Sequence, residues 1–107
     1  MDDRVLRFVG LALRARRVVL GREACKRAAR NGTLHALVVA SDAGASAARD
    51  TGAGPNVPVV QVQIDKCELG SRVGKTTLAV LGITDPQLAA GLTGGAARGE
   101  PGKRRRG

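Results

Sequence analysis

The stretch VVLGREACKRAARNGTLHALVVA, Val18 to Ala40, reads as one strand–helix–strand unit. Val18–Leu20 is a short apolar run closed by Gly21. Residues 22–31 then take on helical character, with Ala24, Cys25, Ala28 and Ala29 forming a face of small side chains suited to lying close against a sheet. Asn31 and Gly32 stop that helix. Leu34–Ala40 is an apolar run that predicts a buried strand.

The same alternation continues outward. Upstream, Val5, Leu6, Val9, Ala12 and Leu13 recur at helical spacing, so residues 2–16 predict a helix, with Arg4, Arg7 and Arg14 off the apolar stripe. Downstream, Ser41 and Asp42 read as helix-start residues ahead of an Ala-rich helix over 43–50, which its glycines weaken. Thr51–Pro58 is a loop. Val59–Ile64 alternates as a strand does. Asp65 caps a helix with Glu68 as its capping-box partner, and Gly70 and Gly74 bracket its end. Leu78–Ile83 is a further apolar strand. Asp85-Pro86 opens a last helix that runs to Leu92. Strands that alternate with helices predict an α/β fold, with helices on both faces of a sheet of at most four strands.

The 107 residues suit one domain, taken as residues 1–92, followed by a Gly-, Ala- and Arg-rich tail over 93–107 that has nothing to bury and is expected to be disordered. The net charge of +9 is unevenly placed. Residues 1–32 hold nine Lys/Arg against three acids, residues 33–92 hold four against five, and the tail holds five against Glu100. A neutral body with a basic first third and a basic tail is the footprint of a polyanion partner, nucleic acid or an acidic membrane face; a merely solvated, highly charged surface is the bland alternative. No apolar run approaches a membrane span, and the start lacks the order of a secretory signal. Cys25 and Cys67 form no C-x-x-C pair and His35 is the only histidine, so neither a metal site nor a cofactor is expected, and reduced thiols in a cytoplasmic protein are.

Catalysis finds little support. Gly70-Ser71-Arg72-Val73-Gly74-Lys75-Thr76 resembles a phosphate-binding loop but has three residues between its glycines where four are needed, and it follows a helix instead of a strand. Asp42, Asp65 and Asp85 are accounted for as caps. Ser41, Ser46 and Ser71 lack a nearby base. Base stacking is disfavoured as well, since Phe8 is the single aromatic residue.

The start of the second helix is the strongest binding candidate. Unpaired amides and the helix dipole attract phosphate there, and Gly21 admits a close backbone. Arg22, Lys26 and Arg30 follow at i, i+4 and i+8, Glu23 and Arg27 are spaced as an i, i+4 pair, and Arg14, Arg16 and Arg17 lead into the region. Glu23 is acceptor-only and can meet amino and imino donors such as those of guanine. A solvated helix face with a Glu23–Arg27 ion pair is the alternative.

Six segments, in order and spacing, resemble the YlxQ-like bacterial proteins of the ribosomal L-seven-Ae and L-thirty-e superfamily. They are Gly10–Arg16, Val19–Glu23, Val38–Asp42, Asn56–Val59, Leu69–Lys75 and Leu81–Asp85, within residues 4–90. The resemblance implies a three-layer α/β/α sandwich around a mixed four-stranded sheet, and binding of structured RNA, in one branch kink-turns. Family binding uses a Gly-x-Asn-Glu-x-x-Lys motif and the loop before the last main strand. Gly21 falls on the motif glycine, Glu23 on the Asn, Ala24 on the Glu and Arg27 on the Lys, while the loop maps to Lys75, Thr76, Thr77 and Leu78. The expected protein is a non-enzymatic, monomeric binder of kink-turn or ribosomal RNA. Its contacts are Arg17, Gly21, Arg22, Glu23, Lys26, Arg27, Arg30, Lys75, Thr76 and Thr77, with Lys103–Arg106 adding salt-sensitive attraction. The ribosome is a candidate partner and a membrane is not. A protein–protein adaptor with a basic docking face is the alternative on the same scaffold.

Overall fold

The computed structural model describes residues 3–44, 46–54 and 56–93. In chain order its elements are α1 (Asp3–Arg14), β1 (Val18–Leu20), α2 (Arg22–Arg30), β2 (Ala36–Val39), α3 (Ser46–Arg49), β3 (Val59–Gln61), α4 (Lys66–Arg72), β4 (Val80–Ile83) and α5 (Pro86–Thr93). The strands form one mixed sheet in the order β1-β4-β2-β3. Strand β4 is antiparallel to both its neighbours, and β3 runs parallel to β2.

Apolar runs become the two central strands because those strands are covered on both faces. Every residue of β2 and β4 is buried. Along β2 the side chains divide by parity. Ala36 and Val38 join Leu69, Leu81, Ile83 and Leu92 in the layer of α1, α4 and α5, while Leu37 and Val39 join Cys25, Ala28 and Val80 under α2 and α3. Each fully buried Leu or Ile here contributes roughly 1.5–3 kcal/mol through removal from water. The result is the expected three-layer sandwich.

The edge strand β3 explains the alternation in Val59–Ile64. Val59 and Gln61 are exposed, while Val60, Val62 and Ile64 turn to the α1–α4–α5 core. Regular pairing ends at Gln61, yet the chain stays beside β2, since Val62 N donates to Val39 O and Ser41 N to Ile64 O, both at 2.9 Å. Two glycines set close approaches. A Cβ at Gly82 would collide with Leu34 and press on Val19 and Cys25, so the bare backbone lets the small face of α2 settle on β4. A Cβ at Gly70 would lie 2.8 Å from the Thr77 Cα, so this glycine lets the chain before β4 cross α4.

The capping acids at Asp65 and Asp85 act as expected, but the capping box at Asp65 is half formed, since the Glu68 carboxylate lies 3.3 Å from Arg72 Nε. Asp65 accepts from Glu68 N at 2.8 Å, and Asp85 accepts from Gln87 N and Leu88 N. Asp42 is a correction. It does not start α3, which begins four residues later; its carboxylate reaches across the fold and accepts from Lys66 N at 2.8 Å, so α4 receives two carboxylates at its N-terminal end. Helix α3 is only four residues long, shorter than the expected 43–50, and buried Thr51 closes it with a hydroxyl bond to Ala48 O at 2.6 Å.

Three helices end in one motif. After α2, Gly32 N donates to Ala29 O and Thr33 N to Ala28 O; after α4, Gly74 N donates to Ser71 O and Lys75 N to Gly70 O; after α1, Arg16 N donates to Leu13 O and Arg17 N to Ala12 O. The paired 5→2 and 6→1 bonds require a left-handed residue at the turn. Gly32 (φ 75°) and Gly74 (φ 80°) supply it cheaply, whereas α1 uses Arg16 at φ 58°. For a residue with a Cβ that conformation costs roughly 1–2 kcal/mol. A cation at a helix C-terminus regains only about 0.3–1 kcal/mol when exposed, so glycine is the residue the backbone favours there.

Candidate nucleic-acid interface

Hydrogen bonding around β4 brings the two expected contact segments to one end of the sheet. Gly21 N donates to Val80 O at 2.9 Å, tying the entrance of α2 to the start of β4, and the loop that precedes β4 carries Lys75, Thr76 and Thr77. All three loop residues are exposed. Gly70 holds them there by admitting the Thr77 backbone.

Gly21 is the N-cap of α2 with φ 91° and ψ 165°, a conformation that suits glycine, and no side chain caps the helix. The first-turn amides therefore face outward for an acceptor, with the positive end of the helix dipole behind them. Cys25 and Ala28 are the buried face of α2, which leaves Arg22, Glu23, Lys26, Arg27 and Arg30 on its outer side. The apolar inner face and the basic outer face follow from one helical period.

The ion pairs differ from the expected ones. Glu23 Oε2 lies 3.6 Å from Lys26 Nζ, an i, i+3 contact, and not against Arg27. Its side chain is 82% exposed, so the pair holds Glu23 weakly and leaves it able to accept from a ligand. Arg22 Nη1 lies 3.4 Å from Asp50 Oδ2, a link from α2 to the turn after α3 that no local spacing signals. Among the described residues, no carboxylate pairs with Arg27 or Arg30.

Arg17 lies elsewhere. Its carbonyl accepts from Thr84 N at 2.8 Å, at the finish of β4 and the opposite end of β1 from Gly21. Arg14 and Arg16 stand with it, so the upstream arginines do not converge on the α2 entrance. Lys103–Arg106 lie outside the described residues. The loop-like run Gly70–Thr76 begins inside α4, whose last three residues are Gly70–Arg72, and carries that helix's C-terminal turn. Among the described residues, no group of three or more His, Cys, Asp or Glu could hold a metal ion, and no helix is long and apolar enough to cross a membrane. Cys25 is a free, buried thiol, pushed up to about 12 by burial, and Cys67 is a free, exposed one.

No family model matches the sequence, and no curated protein matches it either. Solved structures do. A Giardia lamblia 15.5kD RNA-binding protein is 20% identical with a TM-score of 0.62, over 85% of this chain and 82% of that one, and it shares the fold. A Bacillus halodurans protein of unknown function is 30% identical with a TM-score of 0.71, over 83% of this chain and 92% of that one. With that identity over nearly the whole of its relative, the chain belongs to the family of the Bacillus halodurans protein, and its mixed four-stranded sandwich is the fold of the Giardia RNA-binding protein.

Proposed function

We propose that this protein binds structured RNA without catalysing a reaction, as a YlxQ-like member of the L-seven-Ae and L-thirty-e superfamily. Ribosomal RNA and kink-turns are its candidate targets, in the cytoplasm, with the chain acting as a monomer. The observation that carries the reading is the meeting of three features at one end of the sheet. These are an uncapped helix entrance at Gly21, the outer face of Arg22, Lys26, Arg27 and Arg30, and the exposed Lys75–Thr77 loop. Phosphate oxygens meet the amides and guanidinium groups, Glu23 accepts from a base edge, and the threonine hydroxyls flank it. That the Giardia protein of the same fold is an RNA-binding protein supports RNA binding in general.

The test is an electrophoretic shift at fixed salt with a labelled RNA duplex carrying a kink-turn, the same duplex without one, and ribosomal RNA. Replacing Arg22, Lys26 and Arg27 together with Ala should weaken binding by about tenfold or more, since several phosphate contacts are lost, with the melting temperature held. Equal affinity in that variant removes α2 from the interface. A preference for the kinked duplex would name the motif; retention of an acidic protein after nuclease treatment, with no RNA bound by the wild type, would assign the face to an adaptor role.

A further inference from the structure

The C-terminal turn of α1 is the place where the chain departs from its own rule. Helices α2 and α4 close the same two-bond motif with Gly32 and Gly74, and α1 closes it with Arg16 at φ 58°. Backbone energetics favour glycine at all three. Arg16 is exposed, as are Arg14 and Arg17 on either side, and among the described residues no carboxylate pairs with any of them. A strained backbone retained under an exposed, unpaired cation points to a use for the side chain.

The position of this turn defines that use. Arg17 immediately precedes the edge strand β1 and Gly21 follows its end, four residues or about 13 Å further along. Helix α2 then doubles back. It starts where Gly21 bonds Val80, at the start of β4, and the segment after it delivers His35 N to Ile83 O, at the finish of β4. Its last-turn cations Arg27 and Arg30 therefore lie toward the end of the sheet that Arg17 occupies. Cations therefore stand at both ends of this edge, with Arg14, Arg16, Arg17, Arg27 and Arg30 toward one end and Arg22 beside the Gly21 entrance at the other.

We propose that Arg14, Arg16 and Arg17 form a second phosphate-contacting site for the RNA bound at the α2 entrance, so that the RNA backbone lies along the β1–α2 edge of the molecule and is gripped at both ends. This rests on the RNA-binding reading above. The two sites differ in kind. The entrance offers amides and a base-reading carboxylate, whereas the α1 turn offers guanidinium groups alone, which position a backbone without reading sequence.

Arg16→Gly isolates the second site because it relaxes the backbone while removing the cation. The full chain is titrated with the labelled kink-turn duplex and with ribosomal RNA across a series of salt concentrations, and melted in parallel. The expected result is a melting temperature unchanged or raised by a few degrees, affinity lowered by about threefold to tenfold, and a salt slope shallower by about 0.7–0.9, the loss of one phosphate contact. Arg14→Gln with Arg17→Gln should weaken binding further in the same sense. Equal affinity and slope in Arg16→Gly, with the Arg22/Lys26/Arg27 variant still impaired, overturns this second site and leaves the first. A lowered melting temperature overturns the premise of strain. A wild-type chain that binds neither RNA at any salt overturns both readings.

Discussion

The end of α1 and the end of α2 are the same structure built from different residues. Each closes with matched 5→2 and 6→1 bonds around a left-handed residue, Arg16 in one and Gly32 in the other. At α2 the backbone decides, and glycine is the residue that meets φ 75° without strain. At α1 the chain accepts strain and keeps a long cation. The difference separates residues held for conformation from residues held for what their side chains reach. The same separation runs through the helix between them, where Cys25 and Ala28 serve packing and Arg22, Arg27 and Arg30 face outward.

That contrast has consequences of graded size. The largest concerns the two thiols. If α2 is a rigid platform, Cys25 on its buried face reacts with iodoacetamide only when the fold opens. Cys67 then alkylates first in the native protein, with mass spectrometry showing rates that differ by about a thousandfold or more for an ordinary global stability. Comparable rates would mean that α2 opens readily and that its end cannot serve as the rigid member of the comparison. Burial favours the protonated Cys25 thiol, so its share of stability is intact below pH 9, the ordinary thiol value, and is lost as pH climbs toward about 12. Denaturant midpoints measured on that alkaline limb should fall.

The next effect sits at Gly70, held for close approach and not for a left-handed angle. Gly70→Ala places a methyl group 2.8 Å from backbone that cannot rotate away. The expected loss is about 1–3 kcal/mol by urea unfolding, with the Lys75–Thr77 loop displaced and RNA affinity reduced. An unchanged midpoint would show that the loop yields. The smallest effect sharpens the comparison directly. A Cβ at Gly32 would meet nothing within 4 Å, so Gly32→Arg tests the angle alone. It should cost roughly 1–2 kcal/mol in thermal melts, where Arg16→Gly costs nothing. A loss at Gly32→Arg with none at Arg16→Gly would confirm that the two turns share one geometry that favours glycine; a neutral Gly32→Arg would end the distinction.

Much of this molecule was readable in one dimension. The apolar runs 34–40 and 78–83 contain β2 and β4, and Val18–Leu20 is β1 as expected. The Asp65–Glu68 and Asp85-Pro86 signals mark true helix starts. Those features depend on residues within a few positions of one another, where side-chain period and capping geometry act directly. The Gly21 entrance and the basic line along α2 were legible for the same reason. The expected Glu23–Arg27 pair was not the one formed, because Lys26 reaches Glu23 from the adjacent turn.

What local pattern cannot carry is where elements meet. The insertion of β4 between β1 and β2 joins Gly21 to Val80 and thereby puts the Lys75–Thr77 loop at the same end of the sheet as the α2 entrance, while the same pairing sends Arg17 to the far end beside Thr84. Asp42 looks like a cap for the next helix in sequence and serves another 24 residues away. Gly70 reads as a helix stop and is instead a point of contact with Thr77. Composition and periodicity thus settled the layers, the helix faces and the basic character, since each arises from neighbours along the chain. The assembly of one contact end, and the separation of Arg14–Arg17 from it, came only with strand order, because β-pairing joins residues whose proximity is set by the whole fold.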